Sequence, residues 1–351
     1  MRHSSDRSLI RLQHLYPSST VTTPTTRHLG LLFGTLALLW GLSFVAIKTG
    51  LEGFPPVLLA ALRHDIAAAV LVGYAVSRGR TLRPRTRDDV ALMLVGGALL
   101  IGAHFTLLFL GQQYVPSAYG AILLSLTPVV TPAFAATLLP SYRARPHEII
   151  GTVSGFLGVV VIANPSPGAL GSRGLGIALL IGAAVVFAAG AVLTERYTTT
   201  LPLVSVQAGM TAVGAVILHA VSAALPSEQV GAVSAGVEHL VALVYLGVFA
   251  SAVGFLLYFR LVDAVGAAET SLVSYAVPGV TAVFGWLLLD EVLTPLTVVG
   301  FTAILAGFAW VKADVLRATL RRRRRSDASP ASDGRGDYVV VGGNAYWSGC
   351  D

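Results

Sequence analysis

The sequence predicts an all-α membrane protein of ten transmembrane helices, arranged as two inverted five-helix repeats. Three observations lead there. Charge is nearly absent from long apolar runs, Lys and Arg are distributed one-sidedly, and the chain resembles itself at an offset of 150 residues.

Charged residues are only 12% of the 351 and hydrophobic residues 54%, with a mean hydropathy of +0.74. A soluble domain carries about a quarter charged residues, so a soluble chain of this length would lack the charge to cover its surface. Uncharged runs of roughly 18 residues or more are long enough to cross a bilayer. Such runs extend from Leu29 to Ile47, Gly174 to Thr194, Leu240 to Phe259, Thr270 to Leu289 and Val292 to Val311. A sixth, Val90 to Tyr142, is long enough for two spans. Turn chemistry separates them: Gly53-Phe54-Pro55-Pro56, Pro116-Ser117, the stretch Asn164 to Gly168, Pro202, and Pro226-Ser227. Helices are therefore expected over 29–49, 56–77, 89–111, 117–139, 147–163, 174–195, 203–225, 238–260, 268–289 and 294–312. Residues 1–28 read as a polar cytoplasmic tail with no apolar core of a signal peptide. Residues 313–351, with the run Arg321 to Arg325, read as a basic, disordered cytoplasmic tail.

Lys and Arg orient the spans. With the N-terminus inside, all but three of the 24 fall in cytoplasmic segments. The exceptions are Arg173, in an outside loop, and Lys48 and Arg63, within helices. Outside loops carry Glu52, Glu228, Glu238, Asp290 and Glu291 instead. The bias requires an even number of helices, both termini cytoplasmic, and a multi-pass protein of the plasma (cell inner) membrane. The net charge of +6 sits in tails and short loops, which argues against a nucleic-acid partner.

The repeat divides the chain into 29–164 and 174–312. Residues 97–139 laid on 247–289 match at twelve positions, among them Gly97/Gly247, Phe105/Phe255, Pro128/Pro278 and Thr131/Thr281. At an offset of 149, Gly151 meets Gly300 and Gly158 meets Gly307. A five-helix unit must reverse direction in its second copy, and inverted repeats are a mark of secondary transporters with a midplane site between the halves. Gly151 and Gly155 have the GxxxG spacing of close helix packing.

Ionisable residues inside spans cost about 2.5–3.5 kcal/mol each at mid-bilayer and demand an explanation. Helix 2 carries Arg63, His64 and Asp65 in succession. Arg63 is expected roughly 9 Å and Asp65 roughly 12 Å below the outer edge, pointing almost oppositely. Arg63 can snorkel outward; Asp65 is too short to do so. His104 is expected at the same level, with Gly254 as its repeat equivalent, so a cavity-facing proton pair of Asp65 with His104 or His64 is one expectation. Structural partnering within the bundle is the other. Lys48 and Glu195 end helices 1 and 6 and read as interface anchors or as gates, one per face. Glu269, at the start of helix 9, suits the helix dipole or a gate. Trp40, Tyr258, Tyr275 and Trp286 are candidate cavity aromatics, with an interfacial or core role as the alternative, and His219 is expected near the outer interface. Pro128 and Pro278 read as paired hinges.

The runs Trp40 to Lys48 (WGLSFVAIK), Pro55 to Arg63 (PPVLLAALR) and Val277 to Glu291 (VPGVTAVFGWLLLDE), followed by Gly300 and Gly307, resemble the EamA-type repeats of the drug/metabolite transporter superfamily. The resemblance covers about 29–312 in two copies. It implies a ten-helix secondary transporter, commonly an exporter of amino acids, metabolites or drugs. His64 and Asp65 depart from the apolar or aromatic residues usual after the helix 2 arginine, and Asp290-Glu291 has no acidic counterpart in the first half.

No zinc-protease HExxH, no nucleotide-binding GxxxxGK[ST] and no nucleophile motif is present. One cysteine, Cys350, leaves no Cys metal cluster. The reading is thus a non-enzyme without metal or cofactor, monomeric or homodimeric, whose partners are a small-molecule substrate and the bilayer. An importer or exchanger of the same fold, or a non-transporting sensor or assembly subunit, are the alternatives.

Overall fold

The computed structural model describes residues 26–138, 146–163, 171–228, 231, 233–265, 270, 273–311, 338–341 and 344–347. Among them, seven helices are long and apolar enough to cross a membrane, and three shorter apolar helices accompany them. The helices are α1 (Thr26–Gly53), α2 (Pro56–Ser77), α3 (Arg87–Gln112), α4 (Ser117–Leu138), α5 (Pro146–Ala163), α6 (Ser172–Thr194), α7 (Leu203–Ala224), α8 (Val237–Val244, Tyr245–Val253 and Gly254–Val265), α9 (Val273–Leu289) and α10 (Pro295–Val311). The starts follow the punctuation in the sequence. Pro55-Pro56 and Pro202 open α2 and α7, and proline is suited there because the first helical N–H groups have no intrahelical acceptor. Thr86 and Asp89 form a reciprocal capping box at the start of α3.

The packing core runs between helices. Leu36 and Ile47 of α1, Leu59 of α2, Phe109 of α3, Leu123 of α4, Leu180 of α6, Leu218 of α7 and Leu246 of α8 are all within 1% of fully buried. Large apolar side chains also cover the outside of the bundle, among them Leu31, Val216, Trp286, Leu287 and Val299. That inside-and-outside apolarity is what lipid as solvent allows. With no hydrophobic drive between helices in lipid, close backbone approach does more of the work. The extreme case is α5 on α10. The Cα hydrogen side of Gly158 lies over the carbonyl of Gly300, and that of Gly307 over the carbonyl of Gly151; a Cβ at either would be 2.5 Å from the oxygen. The four glycines matched at an offset of 149 are therefore physical partners, crossed between the two helices.

Two helices change their winding. Gly97–Ala103 in α3 and Tyr245–Val253 in α8 are π-helical, and the 150-residue offset relates Gly97 to Gly247. Such insertions redirect side chains and backbone carbonyls and often mark functional sites. The two matched prolines behave differently. Pro128 follows a break at Ser125–Leu126 that divides α4, whereas Pro278 lies inside an uninterrupted α9. Only the first of the pair accompanies a break in the helix, so the missing N–H that both prolines share does not by itself divide the helix.

The tail expected to lack structure contains an antiparallel hairpin, Tyr338–Val341 with Asn344–Trp347, in which Val341 pairs with Asn344. Its sequence, β-branched and aromatic runs on either side of Gly342-Gly343, is a two-residue hairpin signal. The run Arg321 to Arg325, and the N-terminal tail up to Thr25, lie outside the described residues.

Candidate functional site

The α1–α2, α3–α4, α7–α8 and α9–α10 connections lie together at one end of the bundle (the distal end), and the basic α2–α3 and α6–α7 connections at the other (the proximal end). Between these ends the polar side chains of α1, α2, α3 and α8 meet.

Arg63 is at the centre of this seam. It is 5% exposed, so it does not snorkel. Its Nε and Nη2 donate to the Ser251 hydroxyl at 3.2 and 2.7 Å. The guanidinium carbon stands 4.9 Å from the Phe105 ring centroid and 5.7 Å from that of Phe109, a cation–π arrangement. No carboxylate among the described residues forms an ion pair with it. The π-helical stretch of α8 builds the opposite wall. It presents Ser251 to Arg63 and the Ala250 carbonyl to the Trp40 indole, whose Nε1 donates at 3.1 Å. The Trp40 ring continues onto Tyr258 (5.6 Å between centroids) and Phe255 (6.2 Å). Tyr245 donates its hydroxyl to the Leu39 carbonyl at 2.9 Å.

His64 and His104 flank the Phe105 ring at 4.3 and 4.8 Å. His64 is fully buried; its Nδ1 pairs with the Ala60 carbonyl at 2.7 Å, and its Nε2 has no hydrogen-bond partner among the described residues. His104 is satisfied by the Ala183 carbonyl of α6 at 2.9 Å and packs edge-on against Phe187.

Asp65 does not join them. It points out of the bundle, as a turn of about 200° from Arg63 requires, and its Oδ2 meets His219 Nε2 of α7 at 2.7 Å. Both side chains are nearly half exposed, 47% and 43%. The expected pair of Asp65 with His104 or His64 is thus corrected: the helix 2 carboxylate serves the α2–α7 seam, and the histidine read as merely interfacial is its partner. Lys48 Nζ reaches the Gln112 carbonyl at 3.5 Å at the distal end, and Glu195 caps the proximal end of α6, exposed. Neither touches the Arg63 seam. Tyr275 is half-buried on the core beside α1. Glu269 lies outside the described residues.

Sequence reasoning missed the distal closure. Glu228, 3% exposed, accepts from the Val57 and Leu58 amides at 2.9 and 3.0 Å, in the first turn of α2. Glu291 accepts from the Ser117 amide at 2.8 Å and the Ser117 hydroxyl at 2.5 Å, at the start of α4. Each carboxylate satisfies helix donors that have no intrahelical acceptor. Asp290 makes the second possible. It is the described non-glycine residue with positive φ, 53°, and the Glu291 amide returns to the Gly285 carbonyl at 3.1 Å. The left-handed turn at Asp290 ends α9 and directs the Glu291 carboxylate to the start of α4. Gly285 leaves the room: a Cβ there would be 2.8 Å from both the Glu291 carboxylate and the Ser117 hydroxyl. Beside it the Tyr119 hydroxyl accepts from Thr297 at 2.7 Å and Arg173 at 2.8 Å. The available signal was Asp290-Glu291, the acidic turn without a counterpart in the first half. At the proximal end α4 and α9 part. The distal segment of α4 packs on α9, whereas the segment after the Pro128 break packs chiefly on α6 and α5.

A model of the EamA-like transporter family matches residues 28–164 and 174–312. The chain is 30% identical to a probable terminal-alkyne amino-acid exporter of Streptantibioticus cattleyicolor, over 82% of this chain and 93% of that one. It is 26% identical to an uncharacterized transporter of Archaeoglobus fulgidus, over 76% of this chain and 92% of that one. It is also 26% identical to the uncharacterized inner membrane transporter YedA of Escherichia coli, over 72% and 81%. One solved crystal structure shares the fold with a TM-score of 0.60 at 22% identity, covering 85% of this chain and 98% of that one. Two matched segments spanning most of the chain and a bundle of apolar helices make this a multi-pass membrane protein that belongs to the EamA-like transporter family.

Proposed function

We propose that the protein exports small carboxylate-bearing metabolites, amino acids first among them, by alternating access. In this reading ten helices cross the membrane as two inverted halves with both termini cytoplasmic, so the distal end faces outward and the proximal end inward. The observation that carries it is Arg63. A buried guanidinium held by a hydroxyl and two phenyl faces has no carboxylate counter-ion among the described residues, an expensive arrangement in a membrane interior. An incoming carboxylate would supply that counter-ion with bidentate geometry, and Trp40, Phe255 and Tyr258 offer an apolar shelf beside it. The named relative in Streptantibioticus cattleyicolor, a probable amino-acid exporter, supports the substrate class and the direction. The distal carboxylate caps and the parting of α4 from α9 support a state closed outward and loosened inward, with access alternating as the halves rock.

Proton coupling, on this reading, runs through His64 and not Asp65, since His64 Nε2 is buried beside Arg63 without a partner among the described residues. The test is efflux of an amino-acid panel from proteoliposomes, with and without a pH gradient. R63Q is expected to lower flux at least tenfold, with R63K intermediate because it keeps the charge and loses the planar fork. H64Q is expected to flatten the dependence on the gradient while leaving facilitated flux. Full flux in R63Q would defeat the carboxylate assignment. Flux inward only, or none for any solute under any gradient, would favour an importer or a non-transporting protein.

A further inference from the structure

Apart from the central seam, the bundle carries a cleft of about 450 Å³ at the proximal end, where α2 finishes, α7 begins and α8 finishes. Three arginines line it, Arg78 and Arg80 from the end of α2 and Arg260 from α8. Arg78 stacks on Tyr74, its guanidinium carbon 5.4 Å from the ring centroid. None of the three forms an ion pair with a carboxylate among the described residues. The two acids that open α3 are engaged elsewhere: Asp88 accepts from Thr198, and Asp89 accepts from Thr199 and closes the α3 capping box. The floor is the first turn of α7, at Leu203 and Val204, where no side chain caps the helix. A 22-residue helix thus presents uncapped amides and the positive end of its dipole into a space already flanked by three guanidiniums. The remaining wall, Leu256 and Phe259 with Leu203, is apolar, and Leu203 is itself exposed on the outside of the bundle.

We propose that this cleft binds a phosphate ester, seated by Arg78, Arg80, Arg260 and the α7 N-terminus, and that its source is the headgroup of an anionic phospholipid of the inner leaflet. The apolar wall gives the acyl chains a path that a free phosphate would not use, and basic pockets between helices at the cytoplasmic face suit such headgroups. The cytoplasmic placement of these helix ends rests on the orientation proposed above. Binding is read without transport, so the two stand or fall separately.

The experiment measures lipids retained by the purified full chain, by native mass spectrometry, after exchange into detergent with equimolar phosphatidylglycerol and phosphatidylcholine. The wild type is expected to hold one phosphatidylglycerol in about tenfold preference, and R78Q/R80Q/R260Q to lose that preference. The control R83Q/R85Q/R87Q removes the same number of charges from the α2–α3 region outside this cleft and is expected to keep it. Equal retention by the cleft variant and the wild type would overturn the proposal. So would equal loss in the control, which would reduce the effect to general surface charge. A third arm adds inorganic phosphate or glycerol phosphate at millimolar concentration. Displacement of the lipid by either at that level would assign the site to soluble phosphate esters and overturn the lipid source.

Discussion

Replacing Gly158 by alanine tests the closest backbone contact in the bundle. The new Cβ would lie 2.5 Å from the Gly300 carbonyl oxygen, 2.9 Å from Ile304 Cγ1 and 3.0 Å from the Ile304 amide nitrogen. An ordinary contact begins near 3.4 Å, so α5 and α10 must separate by about 0.9 Å at this point, and backbone cannot rotate out of the way as a side chain can. A gap of 0.5–1 Å forfeits about a quarter to a half of each dispersion contact it opens, and Ile304 and Val159, both buried, sit along this seam. Overpacking of this kind costs about 1–3 kcal/mol. Gly307→Ala meets the Gly151 carbonyl at the same 2.5 Å and should cost a similar amount. The double variant should cost clearly less than the sum, because a separation forced by one methyl makes room for the other; neighbouring sites coupled through a shared backbone shift are expected to be non-additive. Gly73→Ala, with nothing within 4 Å, serves as the neutral control. Reversible unfolding in mixed micelles titrated with SDS reads all four. Wild-type stability in G158A, or strict additivity in the double variant, would refute the claim that one rigid glycine seam sets the α5–α10 distance.

Glu291→Ala removes the cap on α4, worth about 1–2 kcal/mol, and is expected to raise the opening of the distal end about 5–30-fold. The readout is labelling of V115C, at a position 2% exposed, by an impermeant maleimide in a background with the single native cysteine changed (C350S); an unchanged rate would sink the gate assignment. Gly285→Ala should reproduce that phenotype without touching a charge, since its methyl would displace the carboxylate from Ser117. Asp65→Asn keeps a hydrogen bond to His219 at an exposed seam, where an ion pair is worth about 0.2–1 kcal/mol, so efflux within about twofold of wild type is expected. Abolished efflux in D65N would return Asp65 to the transport path.

Much of the architecture was legible because lipid imposes one-dimensional rules. A span must be apolar for its whole length and must close its own hydrogen bonds, so α2 could be read at 56–77 and α7 at its start with no tertiary information. The glycines at an offset of 149 were legible from the repeat and from the small-residue spacing of close helix packing, and Arg63 because a charge violates what a lipid-solvated helix prefers. What pairs with what was not legible. Helical periodicity separates Arg63 from Asp65 by direction, but which direction faces the seam depends on how α2 rolls against α7 and α8. Sequence could therefore name Asp65, His104 and His219 without deciding that Asp65 meets His219.

The sequence by itself determined a membrane-spanning bundle, its approximate helix boundaries, its self-similarity at an offset of 150, and that Arg63 is a cation set inside a span. Only the tertiary structure decided that Ser251 and two phenyl rings hold that cation, that Glu228 and Glu291 close the distal end, and that Arg78, Arg80 and Arg260 converge on one cleft. The physical reason is range. Desolvation and helix period act along the chain and leave a mark on composition, whereas a carboxylate reaching an amide 174 positions away leaves none until the helices are packed.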